Sequence, residues 1–383
     1  MTVSPRLGRP LLQRLALSLA VCVPLLACAP AGPAPAAGAH PAPAGRPGAA
    51  PAPPEGSRQA AVVPRLAPAA TRLAAAATRL TAAAKPGTVT IAAVGDMNPP
   101  GNRSPLSPTA RVAASVAATR TTLVFGLGDY QYYTGTCAAL VGDFDRLWGR
   151  VLPRMFHIAG PTHDWTGIRN EQGYRRHFAG TCPGQRTGPS LLVRARRASV
   201  GPGDFWSRDV GAWHLVGLPT GLWRYAPVRA RAMTRTLALD LAGARARGKH
   251  VLVAYHDPYF TSRTDRHGAD TLVKPWLAVL QRYHVRITLS GSQHNYERTC
   301  PVLLTGVCTP AAGNGTTAFN VSTGGIDLRP FRTRPRFVAQ RFSNTFGWLA
   351  LALRPDGSFV WRYHPVVGRG TDGGSRPAPR PGP

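Results

Sequence analysis

Five apolar runs in this chain each end in an aspartate, a histidine or both, and that repetition restricts the fold more than any other feature. The runs are TVTIAAVGD (88–96), TLVFGLGDY (122–130), MFHIAGPTHDW (155–165), KHVLVAYHDPYF (249–260) and VRITLSGSQHNYER (285–298). Each is of strand length, rich in β-branched and aromatic residues, and closes in a polar turn. Between them, stretches 107–119, 230–247 and 271–283 repeat apolar residues at the helical period. Buried strands alternating with helices predict an α/β fold. Stretches 205–218, 316–323 and 347–364 read as further strands that add antiparallel pairing, with RPDGSF (354–359) as a hairpin turn.

In open α/β sheets, ligands bind at the carboxyl ends of the strands. Asp96, Asp129, His163, His256 and His294 are therefore expected to converge there. A single aspartate after a strand is usually a cap or turn residue, and a single histidine usually just hydrogen-bonds a neighbour. Five such residues in strand order are hard to obtain from caps alone. Aspartate with histidine, and no cysteine, is a donor set suited to zinc, manganese or iron.

The ordered motifs GDMN, GDYQY, PTHD, YHDPYF and GSQHNYER resemble those of the calcineurin-like metallophosphoesterases, and more narrowly their purple acid phosphatase-like branch. The resemblance spans roughly residues 88–364. It implies a four-layer α/β-β/α sandwich of the metallophosphoesterase type, with a two-metal site between the sheets. It implies Asp96, Asp129, Tyr132 and His294 as ligands of a first metal, with Asp129 bridging to a second metal at His256. A phenolate at Tyr132 is a hard donor and favours ferric iron, so iron with zinc or manganese is the expected pair, at one or two ions per chain. His163 matches the catalytic histidine, and Asp164 beside it is expected to orient its ring. His267, in DRHGAD, is placed like a substrate-contacting histidine. Two positions depart from the pattern. Thr162 stands where the family has asparagine, and Ser292 where it has the first histidine of GH-x-H, so the second metal position is partly degenerate.

The rest of the chain reads as delivery apparatus. Residues 1–28 carry Arg6, Arg9 and Arg14 and then a short apolar run ending in LLAC, which reads as an export signal closing in a lipobox, with Cys28 as the lipidated residue. Residues 29–87 are mostly Ala, Pro and Gly and read as a flexible tether. The domain is expected over 88–368, and 369–383 as a disordered tail. Four cysteines lie in the domain, in keeping with an oxidising compartment. Cys300 with Cys308 would close a short loop, and Cys137 with Cys182 would clamp two loops. Of the 46 basic residues 43 are Arg, and residues 88–368 carry a net charge of +19. No basic run interleaved with aromatics occurs, so no specific nucleic-acid partner is expected, and anionic phosphate compounds or cell-envelope polymers are the natural partners.

Together these features predict an exported, metal-dependent phosphoesterase, lipid-anchored outside a bacterial cytoplasmic membrane or otherwise secreted. The alternative is a catalytically degenerate member that keeps the fold and serves as a cell-surface binding protein. Phosphomonoesterases, nucleases and cyclic phosphodiesterases on this scaffold use the same ligands, so the sequence defines a bond class and not a substrate. Nothing in it sets an oligomeric state.

Overall fold

The first strand, β1 (Val89–Val94), is buried along its whole length and occupies the interior of a sheet. Its residues divide by alternation. Val89, Ile91 and Ala93 face one core, while Ala92 and Val94 face another. A strand covered on both faces has no polar side to show, which is why its sequence is apolar throughout. The computed structural model describes residues 86–165, 167–195, 205–264 and 267–379. The expected export signal, Cys28 and all but the end of the tether lie outside the described residues.

β1 pairs in parallel with β2 (Leu123–Gly126), which pairs in parallel with β3 (Met155–His157). The chain then crosses to a second sheet. There β4 (Trp206–Val210), β5 (Trp213–Leu218), β6 (His250–Tyr255), β7 (Ile287–Ser290), β8 (Tyr296–Thr299), β9 (Thr317–Val321) and β10 (Val338–Phe342) lie in the order β10-β8-β9-β7-β6-β5-β4. β5, β6, β7 and β9 are mutually parallel, and β4, β8 and β10 add antiparallel edges. The chain returns to the first sheet with β11 (Phe346–Leu353), β12 (Phe359–Val367) and β13 (Gly373–Arg376), giving the order β13-β12-β11-β1-β2-β3.

Three hydrophobic layers follow. Between the sheets lie Ile91, Phe125, Leu252, Leu289, Phe319 and Leu351 with their neighbours. Outside the first sheet, Val112 and Val116 of the helix Pro108–Ala117 pack with Phe144, Trp148 and Trp348. Outside the second, Met233, Leu237 and Leu241 of the helix Pro227–Ala246 pack with Trp276 and Leu280 of the helix Lys274–Arg282. The architecture is thus the expected four-layer α/β-β/α sandwich. The helices predicted over 107–119, 230–247 and 271–283 all form. The hairpin forms too: Leu353 pairs with Phe359, and Gly357 takes φ +80° in the turn. Both cysteine pairings form, Cys137–Cys182 and Cys300–Cys308.

The tail is a correction. Residues 369–379 do not form a free end, because β13 pairs with β12 and buries Arg376. The Arg376 guanidinium donates to the carbonyls of Ala311 and Gly313 at 2.7 Å and of Arg286 at 3.0 Å. A strand made of GGSR has no apolar signature. One side chain and the edge of β12 hold it in place.

Candidate metal centre

Asp96 follows β1 and Asp129 follows β2, so the parallel order of those strands sets the two carboxylates side by side. From the second sheet, His256 follows β6, and His294 lies in the turn between β7 and β8. The backbone is bent to present them. Asp96, Asp129, Ser292 and His294 all have positive φ, between +52° and +78°. Among the described residues His284 is the sole other non-glycine residue to do so. Such conformations cost of order 1–3 kcal/mol each and cluster where function demands them. Gly160 completes the crowding: a β-carbon there would lie 2.0 Å from Asp129 Oδ1.

The Tyr132 hydroxyl sits at the middle of the group. It donates to Asp96 Oδ1 at 2.8 Å and lies 3.1 Å from both Asp129 Oδ2 and His294 Nε2. Asp129 Oδ2 is also 3.4 Å from His256 Nε2 and 3.9 Å from His163 Nε2. One carboxylate oxygen therefore faces a phenol and two imidazoles. Asp96 Oδ2 accepts from the backbone N–H of Ser292 at 2.8 Å.

His256 and His294 are both fixed from behind. His256 Nδ1 is 2.7 Å from the Leu127 carbonyl, and His294 Nδ1 is 2.8 Å from the Asp327 carbonyl. A carbonyl oxygen only accepts, so Nδ1 carries the proton in each ring and Nε2 points into the site. This is the outer arrangement that metal-binding histidines use. Burial disfavours charge on Asp129, yet His256, His163 and His294 around it hold its carboxyl below the usual range. Burial likewise opposes charge on His256, but Asp129 beside it raises its pKa well above the ordinary value. Burial, with Asp129 and Asp96, raises the Tyr132 phenol.

The donor set fits a metal ion. Asp96, Asp129 and His256 offer ligand atoms that all lie within 4.8 Å of one another, and all three are buried. Tyr132 and His294 close on the same carboxylates. All five predicted ligands are brought together.

The remaining expectations divide. His163 reaches the site with its ring partly exposed, its Nδ1 3.3 Å from the Tyr133 carbonyl. Asp164 does not orient that ring, which corrects the expectation. Its carboxylate accepts instead from the backbone N–H groups of Asp129 (2.7 Å), Gly160 (2.8 Å) and Tyr130 (3.1 Å). Asp164 thus shapes the loop that carries Asp129. Burial and the charge of Asp129 push its pKa up to about 8. Thr162 is exposed. The Ser292 hydroxyl donates to Asp257 Oδ1 at 3.4 Å, while its N–H holds Asp96. His267 lines a cavity of about 270 Å³ with Arg224, Asp257, Asp270, Ser292 and Gln293, and its ring lies 5.9 Å from that of His294. Burial, with Arg329 and His294 nearby, lowers its pKa to about 4. Arg298, in the same GSQHNYER stretch, lies away from the site. It forks onto Asp372 at 2.7 and 3.1 Å, and Glu297 accepts from the Ser262 N–H. Sequence reasoning missed the carbonyls of Leu127 and Asp327 and the N–H of Ser292, since main-chain groups leave no trace in residue identity.

No family model matches the chain. In structure it is similar to GAP50, described as the anchor in the inner membrane complex of Plasmodium, with a TM-score of 0.56 and 14% identity over 76% of this chain and 90% of that one. It is also similar to purple acid phosphatase PPD1 from seeds of yellow lupin, Lupinus luteus, with a TM-score of 0.54 and 19% identity over 77% of this chain and 55% of that one. In sequence it is 36% identical over 126 residues to the probable inactive purple acid phosphatase 1 of Arabidopsis thaliana, which covers 30% of this chain. The chain spans about a fifth (20%) of the length of that curated relative. The fold is that of the calcineurin-like metallophosphoesterases, and the resemblance to their purple acid phosphatase-like branch is supported. One relative of that kind is named an inactive phosphatase and one neighbour an anchor, so the activity of this chain is argued from its own residues.

Proposed function

We propose that the protein is an exported, metal-dependent phosphoesterase with one well-formed metal position and a weaker second one. The observation that carries this reading is the convergence of Tyr132, His256 and His163 on a single oxygen of Asp129, with His294 closing on Asp96. Asp96, Asp129, Tyr132 and His294 would hold the first ion, with the phenol favouring ferric iron. Asp129 and His256 would hold zinc or manganese in the second position. When bound, the ions supply a Lewis acid for the phosphate oxygens and lower the pKa of an attacking water. His163, partly exposed at the rim, gives a proton to the leaving oxygen from Nε2. His267, its ring 5.9 Å from that of His294, contacts the substrate. The two disulfides fit an oxidising compartment outside the cytoplasm. No helix among the described residues is long and apolar enough to cross a membrane, and attachment through a lipid on Cys28 belongs to this proposal.

A second reading, a metal-holding fold used for binding at the cell surface, is favoured by one feature. Thr162 is exposed and the Ser292 hydroxyl is turned to Asp257, so neither replaces the ligand it stands for. Hydrolysis of 4-nitrophenyl phosphate by wild type, Asp129→Asn and His163→Ala separates the two. The enzyme reading expects turnover in wild type, none in Asp129→Asn, and a loss of about a hundredfold in His163→Ala. Wild type that holds metal yet turns over no phosphate ester establishes the second reading.

A further inference from the structure

We propose that a basic cavity at the opposite end of the second sheet binds a compound carrying two or three linked phosphate groups. Lys249 and His250 stand at the start of β6, whose far end leads to His256. Arg286 immediately precedes β7, whose far end leads to His294. The cavity is therefore separated from the candidate metal centre by the length of the strands. Its volume is about 450 Å³, and it is lined by Arg245, Lys249, His250, His284, Arg286 and Asn314 among others, with no carboxylate among the described lining residues. That volume lies in the range of small-molecule sites and exceeds what a single phosphate needs.

Arg286 distinguishes this cavity from ordinary surface charge on a basic chain. It is only 7% exposed. Its Nη1 donates to the Gly357 carbonyl, and its Nη2 to those of Ala311 and Pro377. Its buried Nε has no partner among the described residues. Arg376 lies against it, donating to the Arg286 carbonyl at 3.0 Å and otherwise to neutral acceptors. Two buried guanidinium groups thus share one region without an acidic partner among the described residues, an arrangement that an anion stabilises strongly. The charge of Arg286 bears on His250, and that of Arg245 on His284. The acid that bears on His250, Asp356, is already engaged by the Ser358 N–H and hydroxyl at 2.9 and 2.6 Å. Phosphate oxygens match a guanidinium fork such as that of exposed Arg245, and linked phosphates lie between the buried charge of Arg286 and the side chains of Arg245 and Lys249.

Isothermal titration of the full-length chain with tripolyphosphate and with inorganic phosphate, at physiological salt, tests the proposal. Tripolyphosphate is expected to bind at one site per chain and more tightly than phosphate. The double variant Arg245→Gln/Lys249→Gln removes charge at the mouth, where folding is not at stake, and is expected to weaken binding at least about tenfold. Arg229→Gln/Arg231→Gln, which removes the same charge from an exposed helix face, and Asp129→Asn at the candidate metal centre are both expected to bind as wild type does. The proposal is overturned if tripolyphosphate does not bind, or if it binds no better than phosphate. It is overturned equally if the Arg229/Arg231 control loses as much affinity as the cavity variant, or if Asp129→Asn alone abolishes binding.

Discussion

Glu297 is a buried carboxyl group whose two oxygens accept from one backbone donor, the Ser262 N–H, at 2.9 and 3.0 Å. Burial pushes its pKa up to about 7 from an ordinary 4.5. An acid whose pKa is raised on folding holds its proton more tightly in the folded chain. The stability it contributes is therefore full below pH 4.5 and is lost as pH rises to about 7, by roughly 3 kcal/mol. Glu297→Gln keeps an acceptor and removes the ionisation. Its melting temperature is expected to match wild type at pH 4.5 and exceed it at pH 8, and a mutant less stable at pH 8 would refute the assignment. Ser292 makes a different case, because it serves the site through its main chain. Its N–H holds Asp96 and its φ is +78°. Ser292→Ala is expected to retain metal, whereas Ser292→Pro, which lacks the N–H and cannot adopt that φ, is expected to lose it. Equal metal content in the two variants would contradict this role. At this scale the sequence is legible where a side chain does the work. Asp96, Asp129, Tyr132, His256 and His294 could all be named from their strand-end positions. The oxygens of Leu127 and Asp327 could not, and Asp164 was misassigned because adjacency to His163 in sequence says nothing about which way its carboxylate points.

Strands buried on both faces announce themselves by continuous apolar sequence, and those of both sheets were legible for that reason. The helix Gly167–Phe178 was not, because GIRNEQGYRRHF is mostly polar, with Tyr174, His177 and Phe178 the apolar or aromatic-ring side chains buried among its described ones. β13 was missed because its stability comes from Arg376 rather than from a pattern. Arg376→Ala removes four hydrogen bonds to Ala311, Gly313, Arg286 and Thr317 and leaves the Arg286 carbonyl and the Thr317 hydroxyl buried without that donor. A destabilisation of about 2–4 kcal/mol is expected in chemical denaturation, and a loss under about 0.5 kcal/mol would mean that the strand is held by its backbone alone. The disulfides rank by the loops they close. Cys137–Cys182 spans 45 residues and Cys300–Cys308 spans 8. Chain entropy assigns them about 4 and about 2.5 kcal/mol. Replacing the first pair by serines should therefore lower the melting temperature more than replacing the second. The reverse order would show that the first pair closes a loop already ordered in the unfolded chain.

In the whole molecule, two sheets built from distant parts of the chain each supply half of one site. The first gives Asp96, Asp129 and Tyr132, and the second gives His256 and His294. Neither sheet carries the whole candidate donor set, so that set is assembled only when the inter-sheet core of Ile91, Phe125, Leu252 and Leu289 is packed. The sheets are also tied at their rims, by Trp206 Nε1 donating to the His157 carbonyl and Trp213 Nε1 to that of Arg354, both at 2.8 Å. Asp129 stands at the junction, with His256 facing it from the other sheet. The most direct test of the account is the metal content of purified protein, measured by elemental analysis after dialysis, for wild type beside Asp129→Asn. The account predicts about one tightly held transition-metal ion per wild-type chain and essentially none in Asp129→Asn, with the fold of both intact by circular dichroism. Wild type free of metal, or Asp129→Asn holding as much as wild type, would contradict it.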